Sequence, residues 1–295
     1  MKTGVIGGSG FYAMEGLDVV ETLTVDTPFG IPSDALVHGV VAGRDVYFLP
    51  RHGCGHRLLP SEINHRANIY AMKQLGVDHI ISISAVGSLR EHLRPRDLVL
   101  PDQYFDRTKQ STGHTFFGEG LVAHVAFGEP ACPALRTVIA EQARIVIEAI
   151  HPPSDVRVNS GGTYACMEGP AFSTRAESNI NRQLGCDVIG MTSLPEAKLC
   201  REAEICYQAI AMVTDYDCWH ETEEDVSVEL ILGHLAANSK LALSILRELI
   251  PAIPEQRECG CRSALACAIA TDPKVVPAAT RQKLVPLVGK YLGGE

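Results

Sequence analysis

The sequence predicts an α/β fold: a single domain with a central, mainly parallel or mixed twisted sheet flanked by helices. Three observations carry that expectation. Short apolar, β-branched stretches alternate with longer stretches of helical periodicity, the pattern of strands joined by helical crossovers. The strand-like stretches end in Gly, Ser, Thr or Asp, as chains do where they turn over a sheet edge. At 295 residues, 46% of them apolar and 21% charged, the chain buries one sizeable core and is too short for three ordinary domains.

In chain order, the strand-like stretches are residues 4–7, 46–50, 79–84, 97–101, 187–191 and 206–214. Helical patterns fill residues 62–75, 133–150, 175–184, 195–203 and 227–249. The last carries apolar Val228, Ile231, Leu232, Leu235 and Ala236 as a 3.6-residue stripe, with Ser227 placed to cap it. No internal repeat or low-complexity linker interrupts the order. Residues 251–260 are the one plausible boundary, dividing a domain over 1–250 from a Cys- and Ala-rich extension over 251–295, packed on the domain or trailing from it.

A net charge of −9 and a pI near 5.7 argue against nucleic acid or an anionic membrane as partner. They leave room for an anionic small substrate held by a few local cations. No apolar run reaches the 18 residues of a spanning helix, and the N-terminus lacks the apolar core of a signal peptide, so a cytoplasmic location is expected. Of ten cysteines, Cys54, Cys132, Cys166, Cys186, Cys200, Cys206 and Cys218 stand singly and read as buried small hydrophobes. Cys259-Gly260-Cys261 is different. It reads as a strained, easily reduced bridge or as free surface thiols. Zinc is disfavoured, because Cys267 supplies only a third nearby thiol, and no metal is expected.

The chemistry gathers at strand ends. Gly7-Gly8-Ser9-Gly10 follows the first strand, where backbone N–H groups and the Ser9 hydroxyl can hold a phosphate oxygen. A tight structural turn explains it equally. Ala13 breaks the dinucleotide spacing G-x-G-x-x-G, which disfavours a Rossmann oxidoreductase. Arg51-His52 follows the second strand and can clamp an oxyanion, or be a surface Arg beside a structural His. Ser84-Ala85 and Met191-Thr192 close two further strands. Four strand ends offering Ser, Arg-His, Ser and Thr read as one phosphate site built from distant parts of the chain. Asp215 and Asp217 end an apolar strand at i and i+2, side by side. In a closed pocket, mutual repulsion and burial would leave at least one protonated near neutral pH, ready to serve a departing base. A divalent-cation site or a solvated turn remain as alternatives.

These residues sit in longer motifs. Thr27-Pro28-Phe29-Gly30-Ile31-Pro32-Ser33, Leu49-Pro50-Arg51-His52-Gly53, Asn64-His65-Arg66-Ala67-Asn68 and Ser84-Ala85-Val86-Gly87-Ser88-Leu89 lead the series. Glu168-Gly169-Pro170-Ala171-Phe172-Ser173, Met191-Thr192-Ser193-Leu194-Pro195-Glu196 and Thr214-Asp215-Tyr216-Asp217-Cys218-Trp219 complete it. Together they resemble the trimeric purine nucleoside phosphorylase and methylthioadenosine phosphorylase family, in unbroken order from about residue 4 to 249. The resemblance implies a phosphate held by Ser9, Arg51, His52, Ser84, Ala85 and Thr192, a ribose on Met191, and a base near Phe172. Asp215 and Asp217 would face the purine's N7 and 6-amino group. Val228, Ile231 and Leu232 would line an apolar 5′ pocket, to which a neighbouring subunit of a homotrimer contributes His124. Ala171 and His220 depart from the usual Arg and Lys, away from the implied substrate positions.

Three positions separate the family's branches. Relatives acting on inosine and guanosine carry Asn, Glu and His where this chain has Asp215, Ser173 and Val228. An acceptor at 215 suits an exocyclic amine, and Val228 suits an alkylthio group. The resemblance therefore implies phosphorolysis of methylthioadenosine, in purine and methionine salvage, with inorganic phosphate as co-substrate and no metal or organic cofactor. The rivals are a phosphorylase of 6-oxopurine nucleosides or methylthioinosine, and a non-catalytic nucleotide-binding protein on the same fold.

Overall fold

The computed structural model describes residues 1–8, 14–109, 113–150, 155–221 and 228–293, and leaves the side chains of 228–233 undescribed. The strands are β1 (Lys2–Gly7), β2 (Leu17–Leu23), β3 (Leu36–Val41), β4 (Arg44–Pro50), β5 (Val77–Ser88), β6 (Leu98–Leu100), β7 (Gln103–Asp106), β8 (Val158–Ser160), β9 (Thr163–Cys166), β10 (Val188–Gly190) and β11 (Cys206–Asp215). The helices are α1 (His65–Gln74), α2 (Pro133–Ile150), α3 (Arg175–Gln183), α4 (Ser193–Glu202), α5 (Val228–Ala252), α6 (Ala278–Lys283) and α7 (Val285–Val288). Among the described residues, no helix is long and apolar enough to cross a membrane.

One mixed sheet runs β2-β3-β4-β1-β5-β10-β9-β7, with β11 also paired to β5, β6 to β11 and β8 to β6. The centre is parallel: β1 pairs with β4 and β5, and β5 with β11. Both faces of these strands are covered, so their sequences read as unbroken apolar runs. Alternation divides the side chains. Val5, Val46, Phe48 and Ile81 pack towards α2 and α5, with Leu135, Ile139, Ile245 and Leu249. Ile6, Tyr47, Leu49 and Ile80 face the opposite way, onto Ile69 and Met72 of α1 and Leu199 of α4.

The C-terminal extension completes that second face. Leu265, Leu284, Leu287 and Leu292 are buried in the same cluster as Ile6 and Ile69, each such burial contributing about 1.5–3 kcal/mol. Ala123 and Ile269 form an antiparallel bridge, with the His124 N–H donating to Ala268 O at 2.8 Å. The extension thereby sets the position of the His124 stretch.

The cysteines differ from expectation in part. Cys132, Cys166, Cys186, Cys200 and Cys206 are buried, but Cys54 is exposed and Cys218 half-buried. In the extension Cys261 is buried, Cys259 half-buried and Cys267 exposed, and all are free. Cys259 and Cys261 are neither bridged to one another nor a pair of surface thiols. Sequence distance misled here, because the fold brings them distant partners.

Candidate active site

Parallel pairing puts the ends of β1, β4 and β5 on one edge of the sheet. Gly7 lies beside Pro50 and Ile6 beside Ser82, so the end of β1, Arg51 after β4 and Ser84 on β5 meet there. This is the edge where open α/β sheets hold ligands. Ser9 lies outside the described residues. Asp215 of β11 and Ile189 of β10 both pair with Gly87, which brings the ends of those two strands to the same edge.

Arg51 is buried, not a surface residue. Its Nε donates to Glu196 Oε1 at 2.5 Å, and a second nitrogen to Glu196 Oε2 at 3.3 Å and Ser82 Oγ at 2.7 Å. The third nitrogen donates to Ile83 O at 3.0 Å, one residue before Ser84. Glu196 also accepts from Ser82 Oγ at 2.6 Å and from the Tyr207 hydroxyl at 3.1 Å. Burial alone would raise the Glu196 carboxyl, but the Arg51 charge and hydrogen bonds hold it below its usual range. The pair is a buried, forked ion pair that pins the residue after β4 to α4 and β5.

Beside it, Thr192 caps α4 by position but makes no capping side-chain bond. The first N–H groups of the helix are therefore left without a side-chain cap at this end, where an anion is favoured. Among the described residues, Ser84 Oγ and Ser193 Oγ are buried and meet no partner at hydrogen-bond geometry, and the Tyr164 hydroxyl is their near neighbour. Burial pushes that phenol up to about 12, so it remains a donor. Three buried hydroxyls gathered this closely can turn to one another or to a ligand's oxygens. Ala85, next along β5, is exposed.

His52 is half-buried, stacked on His56 at 4.2 Å, and donates from Nδ1 to Leu58 O at 2.9 Å. Burial pushes its pKa down to about 4, with Arg51 and His56 adding to the fall. At neutral pH the ring is uncharged and Nε2 is a bare acceptor. A charge clamp of Arg51 and His52 is therefore not what the geometry offers. The Arg51 charge is matched by Glu196, and His52 brings a lone pair.

The carboxylates lie on the other side of Gly87. A Cβ built there would sit 2.9 Å from Asp215 Oδ1 and 3.3 Å from Asp217 Cβ, so only glycine lets the strand pass. Asp215 and Asp217 are 4% and 5% exposed, which disposes of the solvated turn. They are adjacent for a different reason from the i, i+2 alternation of a strand. The strand ends at Asp215, and Asp217 turns back with a φ of 53°, its N–H donating to Asp215 Oδ1 at 2.8 Å. Thr214 Oγ1 donates to Asp215 Oδ2 at 2.7 Å. Burial raises both carboxyls; Ser178 opposes the rise at Asp217, and the Asp215 charge adds to it.

The turn is clamped from outside. Trp219 Nε1 donates to Ser88 O at 2.7 Å, and Arg182 stacks 3.5 Å from its indole. Cys218 Sγ donates to Ser173 O at 3.2 Å, which brings Ser173 and the 42% exposed Phe172 against the carboxylate turn. Met191 forms part of the wall of a cavity of about 180 Å³ that also touches His65, His114, Glu168 and Pro195. The side chains of Val228, Ile231 and Leu232 lie outside the described residues, although their backbone opens α5. His124 is exposed and shares no hydrogen bond with the other site residues among those described.

Sequence reasoning missed Glu196, Ser82, Tyr164, Tyr207 and Trp219 as supports. Glu196 carried a usable signal: a charge on the apolar face of a helix, between Leu194 and Ala197.

Buried hydroxyls and an uncapped helix N-terminus lie at the same sheet edge as two buried carboxylates. The chain belongs to the phosphorylase superfamily, whose sequence pattern matches residues 2–251. It is 57% identical to the S-methyl-5′-thioadenosine phosphorylase of Koribacter versatilis, over 99% of this chain and 97% of that one. A methylthioadenosine phosphorylase from an antarctic soil metagenomic library superposes with a TM-score of 0.90 at 45% identity, over 97% and 98% of the two chains. The methylthioadenosine phosphorylase of Schistosoma mansoni in complex with adenine superposes at 0.84 and 36% identity, over 92% and 99%.

Proposed function

We propose that the chain catalyses phosphorolysis of S-methyl-5′-thioadenosine to adenine and 5-methylthioribose 1-phosphate. The observation that carries this reading is Asp215. It is a buried carboxyl whose two oxygens already accept from Thr214 and the Asp217 N–H, so it faces a base as an acceptor or an acid, never as an amide donor. Full-length likeness to S-methyl-5′-thioadenosine phosphorylases supports it.

A phosphate oxygen forms a bond to C1′ as the C1′–N9 bond breaks, and the electron pair leaves with the purine. Asp215, whose proton affinity is raised by burial, shares its proton with N7 and accepts from the 6-amino group, with Asp217 beside it at the same edge of the base. Ser84, Thr192 and the first N–H groups of α4 hold phosphate, with Ser9 and the Ala85 backbone completing the nest. His52 Nε2 accepts from the phosphate's own hydroxyl, and Arg51 positions this edge through Glu196. Met191 supports the ribose, Phe172 the base, and Val228, Ile231 and Leu232 the 5′-alkylthio group. Positioning and fixed dipoles supply the catalysis, so the reaction itself calls for no metal or organic cofactor. His124, exposed in one chain, reaches a neighbour's 5′ pocket in a homotrimer. The setting is cytoplasmic purine and methionine salvage.

The test is release of adenine from methylthioadenosine with and without added phosphate. Phosphate-dependent release is expected. Turnover of inosine or methylthioinosine in preference would overturn the substrate, and adenine release without phosphate would overturn the reaction.

A further inference from the structure

The residues that the proposed reaction leaves unused include four cysteines gathered from three distant parts of the chain. Cys132 immediately precedes α2, Cys206 opens β11, and Cys259 and Cys261 flank the glycine at the start of the extension. Their sulfur atoms all lie within 4.8 Å of one another, with Cys206 and Cys259 3.3 Å apart. Three of the four are buried and the fourth half-buried.

We propose that Cys132, Cys206, Cys259 and Cys261 form a tetrathiolate site that binds one Zn²⁺ and clips the C-terminal extension to the sheet. A tetrahedral zinc with Zn–S near 2.3 Å has S···S edges of about 3.8 Å, within the observed span, so small side-chain rotations close the tetrahedron. The donor set is soft, fourfold and without an open position, which is the chemistry of a structural zinc centre. Binding releases the four thiol protons and leaves a site of net charge −2, with no oxidant required. That charge has local support. The Leu135 N–H donates to Cys132 sulfur, and the positive end of the 18-residue α2 lies against the same atom. Sequence spacing hid the site, since Cys267, the apparent third ligand, is exposed and outside the cluster.

The site stands at the far end of β11 from Asp215. Ten residues of strand separate the two by about 30 Å, so the metal acts on the anchoring of the extension and not on chemistry. Full-length chain, produced without a metal-binding tag in zinc-supplemented medium, is expected to carry about one zinc per chain by elemental analysis. Cys261→Ser and Cys132→Ser should each remove most of it, and Cys267→Ser should leave it in place. Should the serine variants fail to fold, the wild-type chain produced with Co²⁺ still decides. A tetrathiolate cobalt centre shows intense visible d–d bands and sulfur-to-metal charge transfer, whereas a six-coordinate oxygen site is nearly colourless. Wild-type chain lacking stoichiometric zinc overturns the proposal, whether its four sulfurs are recovered as alkylated thiols or as disulfide-linked peptides. Metal content and cobalt spectrum are read without substrate, so they stand apart from the outcome of the phosphorolysis assay.

Discussion

Replacing Asp215 by Asn exchanges one carboxylate oxygen for NH₂ at constant shape, and the structure shows how the amide would settle. Thr214 Oγ1 lies 2.7 Å from Asp215 Oδ2 and 3.3 Å from Val86 O. Its proton can swing to Val86 O, leaving the hydroxyl oxygen to accept one amide hydrogen. The amide carbonyl then keeps the Asp217 N–H, now 2.8 Å away at Oδ1. The fold should tolerate the change. The second amide hydrogen faces the base, where it opposes the 6-amino group of adenine but pairs with O6 of hypoxanthine. A buried donor without a partner costs about 1–3 kcal/mol, or roughly a 5- to 150-fold shift in relative kcat/KM. Asp215→Asn should therefore lose most activity on methylthioadenosine and gain relative activity on methylthioinosine, with methylthioinosine preferred to inosine because Val228 is unchanged. The assay is kcat/KM for the three substrates, with denaturant melts as the control for folding. A normally folded variant with an unaltered adenine-to-hypoxanthine preference would show that Asp215 does not read the purine.

Three further outcomes follow from the geometry. Arg51→Met leaves Glu196 as a buried, unpaired charge and should lower stability by about 3–5 kcal/mol; adding Glu196→Gln should recover part of it, and strictly additive losses in denaturant melts would deny the coupling. Glu202 accepts from Thr115 and the Phe116 N–H, and burial pushes its carboxyl up to about 7. The folded chain then keeps a proton that the unfolded chain sheds from about pH 4.5 upward, so this group lowers stability as pH rises from 4.5 to 7 and no further, by about 3 kcal/mol. Glu202→Gln should remove that slope, and parallel pH–stability curves for variant and wild type would refute it. At Gly190 a Cβ would lie 1.9 Å from the Tyr164 hydroxyl and 2.6 Å from its ring, so Gly190→Ala must displace Tyr164. A loss of about 1–3 kcal/mol with a raised KM for phosphate is expected, and an unchanged KM would separate Tyr164 from the phosphate nest.

The centre of the sheet was legible because both of its faces are buried. Residues 46–50 and 206–214 can be read as strands from apolar content alone, and β4 and β11 contain them. The edges were not. β2 is mostly exposed and carries no alternation to read, while β7, β8 and β9 are only three or four residues long. The strand ends that bear Arg51, Ser84, Thr192 and Asp215 were legible as a set, since hydroxyls and charges after apolar strands stand out. What those residues do to one another was not. The pairing of Arg51 with Glu196 spans 145 positions, and the proximity of Asp217 to Asp215 depends on one left-handed backbone angle. The gathering of Cys132 and Cys206 beside Cys259 was illegible for the same reason, since they lie far from it in sequence and beside it in space.

The neutralised Arg51 has a kinetic meaning. The chain carries a net charge of −9 and the Arg51 guanidinium is already matched by Glu196, so Arg51 adds little to any long-range attraction of hydrogen phosphate. It is retained after arrival by hydroxyls and amide dipoles that act over a few ångströms. Raising ionic strength then screens a repulsion instead of an attraction, and the second-order rate with phosphate should hold steady or rise with added salt, where an enzyme with an open cationic funnel would slow.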